Sequence, residues 1–147
     1  MLYVELWSDI ISKPDAKLRT YYCFKKTYSI ENYLLCSKQT KRSILARFRL
    51  SSHRLEIELG RHSKPKTIKE DRKCKDCVLN LVGDEFHAIM TCPKYHAERS
   101  VVFSALMSYS NFSSLTPLEQ FTYIMSYNNG DSEILKTVFP LIDIIMS

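Results

Sequence analysis

Only three glycines and five prolines occur among 147 residues. So few glycines leave no glycine-rich loop to cradle phosphates, and neither a G-x-S-x-G elbow nor an H-E-x-x-H pair is present. The commonest signatures of nucleotide hydrolysis, acyl transfer and catalytic zinc are therefore missing. Nine Tyr and seven Phe with so few chain breakers argue against a disordered tail. There is no internal repeat and no low-complexity run. The most apolar stretch, Ile134 to Ile145, is interrupted by Lys136, Pro140 and Asp143 and is too short to span a bilayer. Met1 to Ile11 carries Glu5 and Asp9 and lacks a basic leader and a small-residue cleavage site. Five cysteines is an odd number, and with no secretory signal an intracellular setting is expected, nucleus or cytoplasm. There a cysteine pair serves as a metal clip rather than a disulfide. Neither a membrane nor a small-molecule substrate is expected as a partner.

What the chain does have is a concentrated basic segment. From Lys38 to Cys77 there are 13 Lys/Arg against 5 Asp/Glu, while the residues after it carry 3 against 7. Such a segment suits polyanions, nucleic acid first among them, RNA or DNA; its alternative is a solvated helix face. The candidate phosphate contacts are Lys41, Arg42, Arg47, Arg49, Arg54, Arg61, Lys64 and Lys66.

Abutting that segment, Cys74, Cys77, His87 and Cys92 form a C-x2-C-x9-H-x4-C array. Three thiols and an imidazole suit Zn2+, and structural zinc sites take four such ligands in a tetrahedron. The C-x2-C pair lets two thiolates converge from one tight turn. His87 and Cys92 pose a problem: on a continuous α-helix, residues five apart turn through roughly 500° and diverge by about 140°. Pro93 resolves it, because the residue before a proline is pushed out of the α region. Cys92 then falls in a break between a helix over Asp84–Met90 and another starting at Pro93, where the helix dipole favours a thiolate. With four protein ligands no position is left for a substrate, so the site reads as structural. His96 is the one competitor for the fourth position. Cys23 and Cys36 read as core thiols, and His53 and His62 as surface or phosphate-contacting residues. The acid pairs Glu56/Glu58 and Asp84/Glu85 read as ordinary surface groups. No enzyme is visible.

The periodicity predicts a mainly α fold: one small, irregular, zinc-stabilised helical domain with at most a short β element. Residues 1–36 hold a helix over Met1–Ser12, an extended aromatic segment over Leu18–Lys25, and a brief helix capped by Ser29. Residues 37–109 hold a basic helix over Ser37–Leu50, with Ile44, Leu45 and Phe48 inward and Arg49 on another face. They also hold a short strand over Leu55–Leu59 (or a tightened helical end), the metal array, and a helix from Pro93 to Tyr109. Residues 110–147 hold a helical pair. The first opens on the capping box Thr116-Pro117-Leu118-Glu119 and turns Leu118, Phe121 and Met125 inward. It stops at Asn128-Asn129-Gly130. The second is capped by Asp131 or Ser132 and is apolar on most sides, so it is either buried or docked on another protein.

Several strings point one way together. Lys17-Leu18-Arg19-Thr20-Tyr21, Phe24-Lys25, Glu31 and Tyr33-Leu34 precede Arg47-Phe48-Arg49-Leu50-Ser51-Ser52-His53. Leu55, Ile57-Glu58, Gly60-Arg61 and Arg72 follow, then the C-x2-C pair, Asp84-Glu85-x-His87 and Cys92-Pro93-x-Tyr95-x3-Arg99. From Lys17 to Arg99 the chain resembles the zinc-binding region that follows the polymerase domain in reverse transcriptases of non-LTR (LINE-type) retrotransposons. The resemblance implies an accessory region that helps an element's polyprotein handle RNA and target DNA. It does not imply polymerase activity, since a Y-x-D-D-like motif and an endonuclease domain are absent. Three roles follow: a zinc-stabilised nucleic-acid-binding module, a structural module docking on a reverse transcriptase body, or a relic that folds without selected activity.

Overall fold

The computed structural model describes Glu5, Leu6, Asp9, Lys13 and residues 15–36, 38–109, 111–126 and 132–147. Among the described residues the helices in chain order are α1 Arg19–Phe24, α2 Tyr33–Cys36, α3 Gln39–Arg49, α4 Glu56–His62, α5 His96–Leu106, α6 Pro117–Ser126 and α7 Ser132–Met146. Between α4 and α5 lies a π turn, His87–Thr91. Among the described residues the only β pairing is an isolated antiparallel bridge, Lys73 to Val82. The chain is mainly α, as expected. The helix expected over Met1–Ser12 lies outside the described residues apart from Glu5, Leu6 and Asp9, and so do the Asn128-Asn129-Gly130 stop and the Asp131 cap.

The core forms where three helices turn their apolar stripes to one another. Leu45 and Phe48 of α3, Val102 and Leu106 of α5, and Ile134, Val138, Leu141, Ile142 and Ile145 of α7 are all buried in one cluster. The α7 residues recur at the helical spacing that makes one face apolar. Contacts with α3 and α5 cover that face, so the apolar stripe of α7 is buried within the chain itself. Phe121, Ile124 and Met125 of α6 close the core near α1. The π turn touches α5, α6 and α7, which puts the metal array's second half against the core.

The expected extended segment Leu18–Lys25 is helical over Arg19–Phe24, and Leu55–Leu59, expected as a strand or a tightened helical end, takes the helical alternative. In α1, Tyr21 and Phe24 meet edge to face with centroids 5.5 Å apart. A strand would send these residues, three apart, to opposite faces; a helix puts them on one. Both rings lie against the Arg49 guanidinium, 4.5 Å from Phe24. That tertiary contact overrides the β preference of an aromatic run. In α4 the Leu-Glu-Ile-Glu-Leu alternation misleads because it takes Glu58 as solvent-facing. Glu58 is buried, paired with Arg19 at 2.8 Å and Arg61 at 3.2 Å, whereas Leu59 is exposed.

Smaller differences have similar causes. The brief second helix starts at Tyr33 and is not capped by Ser29, whose carbonyl and hydroxyl are engaged by Lys25 Nζ. The capping box forms as expected: Thr116 N donates to Glu119 Oε2 at 2.8 Å and Glu119 N to Thr116 Oγ1 at 3.3 Å. Leu118 beside it is not inward but 58% exposed. No helix among the described residues is long and apolar enough to cross a membrane.

Candidate metal centre

The Lys73–Val82 bridge ties off the loop that carries the first two thiols. Cys74 N donates to Leu81 O and Gly83 N to Arg72 O, each at 2.9 Å. Asn80 turns the loop tip with φ of 54°, a left-handed conformation that asparagine tolerates better than most residues. Gly83 lets the returning strand lie on the array, because a Cβ there would sit 3.1 Å from both Cys74 Cα and Glu56 Cβ.

The second half arrives on a helix start. Asp84 Oδ1 accepts the His87 amide at 2.8 Å and so caps the helix start. The helix then widens: Cys92 N donates to His87 O at 2.8 Å, an i to i+5 bond. This π turn is the physical answer to the spacing problem, since residues five apart stack in it as residues four apart do in an α-helix. Cys92 itself is extended, with ψ of 123°, before the Pro93–Tyr95 3-10 turn that leads into α5. The expected break is there, sharpened by a turn that residue spacing alone does not reveal. Arg99 Nη1 clamps its end, donating to Cys92 O at 2.9 Å.

One donor atom from each of Cys74, Cys77, His87 and Cys92 lies within 4.8 Å of the others, a cluster that could hold a metal ion. Cys77 Sγ and His87 Nε2 are 3.4 Å apart. A tetrahedron with ordinary zinc–sulfur and zinc–nitrogen lengths has edges of about 3.5–3.8 Å, so the cluster needs a contraction of about 1 Å at most. Thr91 Oγ1 lies 2.9 Å from His87 Nδ1, which leaves Nε2 as the nitrogen facing the thiols. His96 is exposed and outside the cluster. Burial pushes the Cys74 thiol up to about 12 and raises Cys92, the neighbouring sulfurs adding to it at Cys74. Burial also lowers His87. A dication reverses this for the thiols, because a coordinated thiol is deprotonated outright.

Two residues before His87, Glu85 is the hub of a buried polar network. Its carboxylate accepts from Ser51 Oγ at 2.6 Å, Thr20 Oγ1 at 2.9 Å and Arg19 Nη2 at 3.0 Å, and lies 2.7 Å from His53 Nε2. Burial alone would raise its pKa, but the His53 hydrogen bond and the charges of His53 and Arg19 carry it down to about 2. The reading of Glu58 and Glu85 as surface acids is thereby corrected, and so is the surface role of His53, whose side chain is 1% exposed. Cys23, expected in the core, is exposed; the core role expected of Cys36 lies outside the described side chains. Sequence spacing holds no signal for this network. The only hint is that Arg19, Thr20, Ser51, His53 and Glu85 all fall in the strings that carry the resemblance.

The basic candidates divide. Arg49 is 1% exposed, ion-paired with Glu31 and donating to the Met125 and Ser126 carbonyls at 2.8 and 2.9 Å, so it cannot reach a phosphate. It does not take the outer face expected of it, because its carboxylate and carbonyl partners offset the cost of burial. Arg61 is held by Asp15 and Glu58, and Arg42 donates to Leu34 O at 2.6 Å. Lys66 pairs with Asp15 at 3.4 Å but stays exposed, and Lys41 lies over the Phe139 ring. Arg47, Arg54 and Lys64 are exposed, with no side-chain partner among the described residues. Arg54 also borders the metal cluster beside Cys74. No protein-family model, curated protein or solved structure matches the chain.

Proposed function

We propose that this chain is a zinc-stabilised, non-catalytic module that binds nucleic acid. It would act as the accessory region implied by its likeness to LINE-type reverse transcriptases. The observation that carries the reading is the convergence of three thiols and one imidazole at the edge of the core. Cys74, Cys77, His87 and Cys92 would hold the ion, and four protein ligands leave it no substrate position. Zinc supplies folding free energy rather than chemistry: it neutralises the thiolates and fixes the loop on the π turn. Exposed Lys41, Arg47, Arg54, Lys64 and Lys66 support phosphate contact, with Arg54 beside the metal cluster itself.

Docking on a reverse transcriptase body is the second reading. An uncovered last helix does not support it, because α3 and α5 cover the apolar stripe of α7. What favours it is the tip of the metal loop, where Val78 is 96% exposed beside exposed Leu79 and Leu81.

Two measurements test the first reading. Purified protein should carry about one zinc per chain. Cys74→Ser and Cys92→Ser should each lose the metal and unfold; zinc retained in either would show the ligand set to be wrong. Affinity for single-stranded RNA or DNA should fall steeply between low and moderate salt as counterions are released. Binding that ignores salt, or no binding, removes the nucleic-acid role while leaving the zinc site standing.

A further inference from the structure

A cleft of about 370 Å³ opens between α1, the start of the π turn and α6. Phe86, Phe121 and Leu118 form its apolar lining, the two rings meeting edge to face at 5.3 Å. Leu118 belongs to the apolar stripe of α6 yet is left uncovered here. Lys13 and Lys69 reach the same cleft from distant parts of the chain. Neither lysine side chain has a hydrogen-bond or ion-pair partner among the described residues. Their neighbours differ: Lys66, Arg61 and Arg72 are all held by Asp15. Arg19 also lines the cleft, but its charge is met by Glu58 and Glu85. Among the described residues Asp84 is the one acid in the lining, and one of its oxygens already caps the His87 amide.

Two cations unpartnered among the described residues, in one cleft with an aromatic lining and a volume within the usual range of ligand pockets, describe a complement to an anion with a flat apolar body. We propose that this cleft holds one unpaired nucleotide of a single strand, its base on Phe86 and Leu118 and its phosphate between Lys13 and Lys69. The proposal rests on the nucleic-acid reading above and narrows it from phosphate contact to base contact. A base in a duplex is stacked and cannot enter, so the cleft selects single strands. Because Asp84 and Phe86 lead directly into the turn that carries His87, the cleft also adjoins the candidate metal site.

The test uses the zinc-loaded full chain and a labelled single strand of about eight nucleotides, read by anisotropy. Its companions are the same strand as a duplex, an abasic strand with equal phosphates, and AMP as competitor. Lys69→Glu and Leu118→Asp should each weaken the single strand by about fivefold or more, and so should removal of the bases. Both side chains are at least partly exposed, and a melting curve identifies a variant that fails to fold; the abasic strand tests the cleft without any variant. Equal binding of intact and abasic strands, or unchanged affinity in folded variants, would overturn the cleft while the nucleic-acid reading stands. A duplex bound as tightly as the single strand would likewise overturn it. AMP competing at the concentration of the strand itself would overturn the strand as its source. No binding of strand or duplex at any salt would remove both readings together.

Discussion

The two ring nitrogens of His87 have separate tasks. Nε2 faces Cys77 Sγ, while Nδ1 lies at hydrogen-bond distance from the Thr91 hydroxyl, one turn along the same π segment. A partner on the second nitrogen fixes ring orientation and tautomer, and losing such a partner typically costs 10–100-fold in metal affinity. Thr91→Val should therefore keep the fold and lower zinc affinity by about that factor, measured by competition with a chelating dye. Glu85 makes a different residue-scale point. Replacing it with Ala would leave Arg19, Thr20, Ser51 and His53 facing an empty acceptor site, and breaking a buried charge pair costs about 3–5 kcal/mol. Chemical denaturation should report that loss even with zinc bound. Legibility differs sharply between these residues. The four thiol and imidazole donors are visible in the sequence because soft ligands so closely spaced around a turn are the usual mark of a shared metal. Glu58, Glu85 and Arg49 are not, because charge reads as exposure, whereas each is buried with a partner far away in sequence.

At the scale of elements, punctuation is more legible than conformation. Pro93 marks the break at Cys92, and the Thr116–Glu119 box marks the start of α6, because both act on the backbone beside them. The segments Leu18–Lys25 and Leu55–Leu59 are harder to read, because Arg49 and Arg19 decide them from elsewhere in the chain. The box makes its own prediction. Thr116→Ala removes the hydroxyl that accepts the Glu119 amide and should cost about 1 kcal/mol. Hydrogen bonds from the Thr116 amide and hydroxyl hold the Glu119 carboxyl below its ordinary 4.5. A depressed carboxylate contributes stability that is complete above the unfolded value and lost as pH falls through the folded one. The acid-side loss of melting temperature below about pH 4.5, to which Glu85 also contributes, should therefore be smaller in Glu119→Gln, since glutamine serves a capping box without titrating.

For the molecule as a whole, the π turn is where the metal array, the Glu85 network and the helical core meet: it packs on α5, α6 and α7. Metal removal should then reach beyond the loop that holds Cys74 and Cys77. With a strong chelator, amide exchange in α7 is expected to quicken along with that in the loop, as one cooperative unit. Protection in α7 that survives chelation would mean the core stands without the clip.

That turn has a further consequence, for the history of such chains. A π turn is an α turn with one residue too many, and its wider hydrogen bond makes a five-residue interval equivalent to an ordinary four-residue one. A sister sequence one residue shorter between its histidine and last cysteine would thus present the same two donors on a regular helix. Loss of that one residue would leave the two donors able to meet at one ion, so the interval between them could shorten from five to four without moving the site.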